Sequence, residues 1–201
     1  TKDINISSAN STHDGDYTLF VTKDGCTSES TTVNVEVSAK FAAPAILGDL
    51  TVCEGESLEL TTDAVGADYE WTLPNGSIVT TQVVSIPSAT KSLHEGPITL
   101  KISKNGCESE VANAAIVVNA NPARPSIDPI AAICEGDNLS FNSSTVADSY
   151  EWTFNASVKN TNKSFDEVSA DESDEGVYSL VVTINGCKSQ PATVSTVINE
   201  I

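Results

Sequence analysis

Asp174-Glu175-Gly176-Val177-Tyr178-Ser179-Leu180-Val181-Val182-Thr183-Ile184-Asn185-Gly186-Cys187 is the stretch that decides the fold. Tyr178, Leu180, Val182 and Ile184 alternate with Ser179, Val181 and Thr183, the period of two that a strand with one face in a core requires. Asn185-Gly186 then closes the run. That dipeptide is the strongest short hairpin signal, because a type I′ turn needs positive φ at both central residues. A returning strand follows through Val194, Thr196 and Ile198.

The same unit occurs three times. Asn185-Gly186-Cys187 has counterparts in Asn105-Gly106-Cys107 and Asp24-Gly25-Cys26, 80 and then 81 residues earlier. Tyr17, Leu19 and Val21, and Ile98, Leu100 and Ile102, precede those turns, and Val33, Val35 and Val37, and Ala114, Ile116 and Val118, follow them. Cys53-Glu54-Gly55 recurs as Cys134-Glu135-Gly136, and Tyr69-Glu70-Trp71 as Tyr150-Glu151-Trp152, both 81 residues on. Three motifs with one spacing define a tandem repeat of about 80 residues. Residues 1–39 read as the C-terminal half of one repeat, 40–120 as a second and 121–201 as a third. The joins, Ser38 to Pro44 and Asn119 to Pro125, are short and end in proline, which halts strand continuation. Links this short predict an elongated, semi-rigid rod.

Leu58 and Leu60 match Leu139 and Phe141 in a short strand. Tyr69, Trp71 and Leu73 match Tyr150, Trp152 and Phe154 in the next. No segment carries a sustained helical period. Each repeat is therefore expected to be an all-β sandwich of the immunoglobulin-like (Ig-like) type. Trp71 and Trp152 are expected as core plugs between two sheets. Asp174-x-Gly176-x-Tyr178 has the form of a tyrosine corner, placing Tyr178 in the core with its hydroxyl on the backbone. Tyr17 holds the same place with His13 for the aspartate, and Ile98 replaces the tyrosine in the middle repeat.

Composition bounds the function. The net charge of -18 divides as -3, -7 and -8 over residues 1–41, 42–120 and 121–201. Acidity thus belongs to every unit, and it opposes binding to nucleic acid or anionic lipid. No apolar run reaches membrane-spanning length, so no direct membrane insertion is expected. Thr1-Lys2-Asp3 begins without the basic and apolar regions of a signal peptide, and the chain reads as an interior fragment.

The five cysteines take two places in the repeat: Cys53 and Cys134 before the second strand, and Cys26, Cys107 and Cys187 after the turn. The simplest pairing is Cys53–Cys107 and Cys134–Cys187, leaving Cys26 to a partner outside these residues. Structural disulfides point to an oxidising compartment. The pairing carries a tension, because in an Ig sandwich the two places lie at opposite ends. Bonds lacing neighbouring repeats, such as Cys53 to Cys187, are the alternative. No C-x-x-C exists for zinc or redox chemistry, and the only histidines, His13 and His94, lack a nucleophile context.

The pattern V/I-C-E-G-x-x-L-x-L/F, Y-E-W, G-x-Y-x-L-x-V and N-G-C-x-S resembles the Ig-like and PKD-like repeats of very large Bacteroidetes surface proteins. Val52 through Leu60, Ile133 through Phe141, both Tyr-Glu-Trp motifs and the three Gly-Cys turns carry it, and it covers essentially the whole chain. The middle repeat departs from it at Pro97 and Ile98. The resemblance implies an extracellular, cell-surface adhesin segment exported by type IX secretion. It would serve as a stalk, bind a surface ligand or polysaccharide, and act with neighbouring repeats, in some relatives in gliding motility. It carries over no catalytic residues, and no enzyme activity is expected. The alternative is a set of accessory modules in a secreted hydrolase. No cofactor is expected. Asp171, Asp174 and Glu175 offer the hard oxygens calcium takes, but without EF-hand spacing they read as a solvated acidic turn.

Overall fold

The computed structural model describes residues 2–200. They form two compact units: residues 2–48, 59–84 and 97–115 in one, and 49–58, 85–96 and 116–200 in the other.

The second unit holds the whole third repeat. Strand Ser149–Phe154 pairs antiparallel with Gly176–Ile184, Trp152 opposite Leu180. Gly176–Ile184 turns through Asn185 (φ 52°) and Gly186 (φ 81°) into Cys187–Lys188, then pairs with Ala192–Thr196. Ser157–Asn160 extends this sheet on its other side. Leu139–Asn142 and Ser164–Glu167 form a separate antiparallel pair, Phe141 opposite Phe165. Finally, Ile133–Cys134 runs parallel to Ile198–Asn199. In Ig lettering these are C′-C-F-G in one sheet, B-E in the other, and an A′ strand laid parallel along the end of G. The chain is all-β and Ig-like on its own pairings. The B, C, F and G strands are those the alternation predicts. The short polar strands Ser157–Asn160 and Ser164–Glu167 are additions.

Trp152, Tyr178, Leu139, Leu180 and Val182 are completely buried between the sheets. Phe141 stacks on Phe165 at 4.6 Å and meets Trp152 edge-on at 5.7 Å, while Phe154 stacks on Tyr178 at 4.4 Å. The Trp152 indole N–H donates to the Asn162 carbonyl, so the plug buries no unpaired donor. The tyrosine corner closes as expected, Tyr178 Oη donating to the Asp174 carbonyl at 3.3 Å. Gly176 opens this strand at φ +149°, and a Cβ there would stand 2.9 Å from Phe154 Cε2.

In the first unit, Asp68–Thr72 pairs with Gly96–Lys104, Trp71 opposite Leu100. Trp71 is fully buried and donates to the Thr81 carbonyl, and Ile98 fills the tyrosine's place, also fully buried. Residues 15–35 contribute only an F–G pair, Gly15–Leu19 against Thr31–Val35. The Tyr17 hydroxyl donates to the His13 carbonyl at 3.0 Å, making the expected corner. Its ring, however, is only half-buried. Leu19, Val21 and Val33 stay about 60% exposed, because among the described residues no B, C or E strand covers this pair.

Candidate interaction surfaces

The cysteines make one disulfide, Cys53–Cys187, across 134 residues of sequence with the Cα atoms 5.6 Å apart. Both residues lie in the second unit. This overturns the Cys53–Cys107 and Cys134–Cys187 pairings. Cys26, Cys107 and Cys134 are free thiols, with Cys26 and Cys134 exposed. The reason is visible in the third repeat. Cys134 sits on the A′ strand beside Asn199, at the far end of G, whereas Cys187 opens G directly after the turn. The dozen residues between them span on the order of 40 Å in extended chain, and a disulfide needs Cα atoms within about 7 Å. The tension in the within-repeat pairing was real, and the bond laces consecutive repeats instead.

Cys53 sits on a small backbone platform. Thr51–Cys53 runs parallel to Val117–Asn119, and the Glu54 N–H donates to the Asn119 carbonyl at 2.8 Å. The Gly55 N–H donates to the Ala89 carbonyl, and the Ala89 N–H returns a bond to the Glu56 carbonyl, each at 2.7 Å. The Glu56 carboxylate accepts from the Cys53 N–H at 3.3 Å. The Asn185-Gly186-Cys187 turn lies against this platform. Asn119 Nδ2 donates to the Asn185 carbonyl at 3.2 Å, and Cys187 Sγ lies 3.9 Å from the Asn119 carbonyl oxygen. Asn121 Nδ2 donates to the Glu54 carbonyl, tying the inter-repeat join to the same corner.

The acidic turn before strand F has defined partners. Asp171 caps the short 3-10 turn Glu172–Asp174, its Oδ1 accepting from the Ser173 hydroxyl at 2.5 Å and the Ser173 N–H at 2.8 Å. These bonds stabilise the ionised form and lower the Asp171 pKa below its ordinary value. The Asp174 carboxylate accepts from the Asp171 N–H and faces Lys159 at 3.6 Å. Glu175 Oε2 accepts from the Ile198 N–H at 2.9 Å, and Glu95 does the same for Val118 at 3.3 Å. Glu175 is thus a strand-end acceptor that recurs from one repeat to the next. Among the described residues, no three His, Cys, Asp or Glu side chains gather around a common point suited to a metal.

The histidines belong to the same turn. His13 Nδ1 accepts from the Asn10 N–H and His94 Nδ1 from the Thr90 N–H, the capping place that Asp174 fills in the third repeat. Their role is local capping.

A further surface is the open groove of about 620 Å³ on the uncovered F–G pair, lined by Ile4, Tyr17, Leu19, Val33, Val35 and Val37 among others. Tyr17, Leu19, Val33, Val35 and Val37 hold the places that Tyr178, Leu180, Val194, Thr196 and Ile198 hold on the inner face of the third repeat. It is half of a sandwich core.

No family profile and no curated protein matches the chain. Among solved structures, titin domains A168–A170 align at 11% identity and TM-score 0.46, covering 94% of this chain and 76% of theirs. The titin I-band fragment I67–I69 aligns at 12% and 0.45 with the same coverages, and murine CEACAM1b at 13% and 0.41, covering 77% of this chain and all of that one. These likenesses are weak. The Ig-like assignment rests on the strand pairing, the buried tryptophan and the tyrosine corner described above.

Proposed function

We propose that this chain is part of a repetitive extracellular stalk in a cell-surface adhesin, holding a binding region away from the cell and engaging a surface or polysaccharide ligand. The observation that carries the reading is the Cys53–Cys187 bond between consecutive repeats. Tension entering before Cys53 and leaving after Cys187 passes through the sulfur bridge and by-passes the 133 residues between. A stalk that resists pulling gains from such a bond, whereas an isolated binding module gains little. Acidity in every repeat keeps neighbouring copies soluble and apart. The bond also requires an oxidising compartment. Resemblance of the repeat motifs to Bacteroidetes surface proteins supplies type IX export and gliding as the setting.

The test is antibody labelling of intact producing cells with serum raised against this chain, alongside attachment assays in the presence of the purified protein. Surface labelling, with attachment blocked by antibody or by excess chain, is the expected result. If the antigen is confined to the medium and co-purifies with a glycan- or peptide-hydrolysing activity, the repeats are accessory modules of a secreted enzyme and the stalk reading falls.

A further inference from the structure

The platform that holds Cys53 is built a second time, around Cys134. Ile133–Cys134 runs parallel to Ile198–Asn199 as Thr51–Cys53 does to Val117–Asn119. The Glu135 N–H donates to the Asn199 carbonyl at 2.9 Å, where Glu54 donates to Asn119 at 2.8 Å. Gly136 and Ala170 repeat the bonds of Gly55 and Ala89: the Gly136 N–H donates to the Ala170 carbonyl, and the Ala170 N–H to the Asp137 carbonyl, each at 2.9 Å. Asp137 Oδ2 accepts from the Cys134 N–H at 3.3 Å, as Glu56 does from Cys53. One side chain differs. Asn119 Nδ2 reaches across to the carbonyl of Asn185 in the incoming turn, whereas Asn199 Nδ2 folds back onto the Ile133 carbonyl at 3.3 Å. Cys134 is left exposed as a free thiol.

The complementary half is also present in excess. Asp24-Gly25-Cys26 and Asn105-Gly106-Cys107 take the conformation of Asn185-Gly186-Cys187. Their φ values are 52° and 85°, 52° and 79°, and 52° and 81°. Every cysteine of the chain is therefore either a platform cysteine (Cys53, Cys134) or a turn cysteine (Cys26, Cys107, Cys187). The bond that exists joins the platform of one repeat to the turn of the next.

We propose that the Cys134 platform is the docking and cross-linking site for the Gly-Cys turn of a further repeat of this kind, joined after the third by a link as short as residues 119–125. Cys107 and Cys26 are the turn halves of the same joint toward preceding repeats. Each joint closes by thiol–disulfide exchange with a small or protein disulfide as oxidant. The platform thiolate attacks one sulfur of the oxidant's disulfide and releases the other as a thiol. The turn thiolate then displaces the second oxidant thiol. Two protein thiols become one disulfide, and one oxidant disulfide becomes two thiols. The proposal is independent of the adhesion reading, since accessory modules of an enzyme would be laced in the same way.

The experiment uses the full chain extended at its C-terminus by a second copy of residues 121–201, oxidised with oxidised glutathione. Peptides are mapped without reduction and free thiols counted. The expected product holds Cys53–Cys187 and a second bond from Cys134 to the appended counterpart of Cys187. Of its seven cysteines, three stay free. Five free thiols with Cys53–Cys187 complete, glutathione left on Cys134, or a Cys134 bond inside its own repeat would each overturn the proposal. In the Cys134→Ser form of the extended chain, tryptophan fluorescence reports that the repeats still fold. The appended turn cysteine is then expected as a free or glutathione-capped thiol. Its appearance instead in a bond to Cys26 or Cys107 would also count against the proposal.

Discussion

Replacing Cys53 with serine removes the one disulfide and opens a loop of 134 residues. In the chain-entropy description, closing such a loop costs the unfolded ensemble about 5 kcal/mol at 25 °C, so the bond stabilises the folded state by up to that amount, and measured values for native bonds run from about 2 to 5 kcal/mol. Cys187 is completely buried, and its freed thiol packs as a small apolar side chain, adding little further cost. Guanidinium unfolding followed by tryptophan fluorescence, in mildly acidic buffer to suppress thiol exchange, measures the loss. Cys53→Ser and Cys187→Ser should each lose this stability. The double variant should lose no more than either single one, because one bond cannot be removed twice. Cys107→Ser should change stability by less than about 0.5 kcal/mol, as for a free side chain away from the core. Two outcomes refute the reasoning. One is equal losses from Cys53→Ser and Cys107→Ser. The other is additive losses from Cys53→Ser and Cys187→Ser. Either would show that the bonds close within repeats.

Three further outcomes are expected. Gly176→Ala places a methyl 2.9 Å from the Phe154 ring at φ +149°; it should destabilise the third repeat by more than about 1 kcal/mol, read from the same unfolding curves, whereas alanine at the open turn glycine Gly136 meets no atom within 4 Å and bears only the backbone strain. The Tyr178 pKa is raised above its ordinary 10.0, first by burial and then by the Asp174 and Glu167 charges. Its contribution is fully present below pH 10 and is lost as pH rises beyond that toward the folded value; an absorbance titration near 295 nm should show a late ionisation of Tyr178 together with unfolding, and Tyr178→Phe should abolish that late step. Calcium added to the protein should produce no heat in titration calorimetry and no rise in melting temperature, since Asp171 and Glu175 already serve backbone N–H groups; a rise that Asp171→Asn removes would make the acidic turn a calcium site.

The alternation was enough to place the B, C, F and G strands of the third repeat and its tryptophan plug. Alternation over Tyr178 to Ile184 and the Asn-Gly turn are local signals, and strand formation beside a tight turn is decided by residues close in sequence. Trp152 and Tyr178 were legible for the same reason, being the largest apolar side chains at fixed offsets in the repeat. Tyr17 was not, because its burial depends on strands that residues 15–35 do not bring. Ser157–Asn160 and Ser164–Glu167 escaped notice because they are short, polar edge segments held by their partners more than by their own pattern. The disulfide was decided only in three dimensions. Cysteine spacing constrains which sulfurs recur together, but a bond forms only where two Cα atoms approach within a few ångströms. That approach follows from the A′ strand lying along the far end of G, and from the next repeat presenting its turn there. Neither placement is a local property of the residues involved, and this is why the simplest pairing on paper is the one the fold forbids.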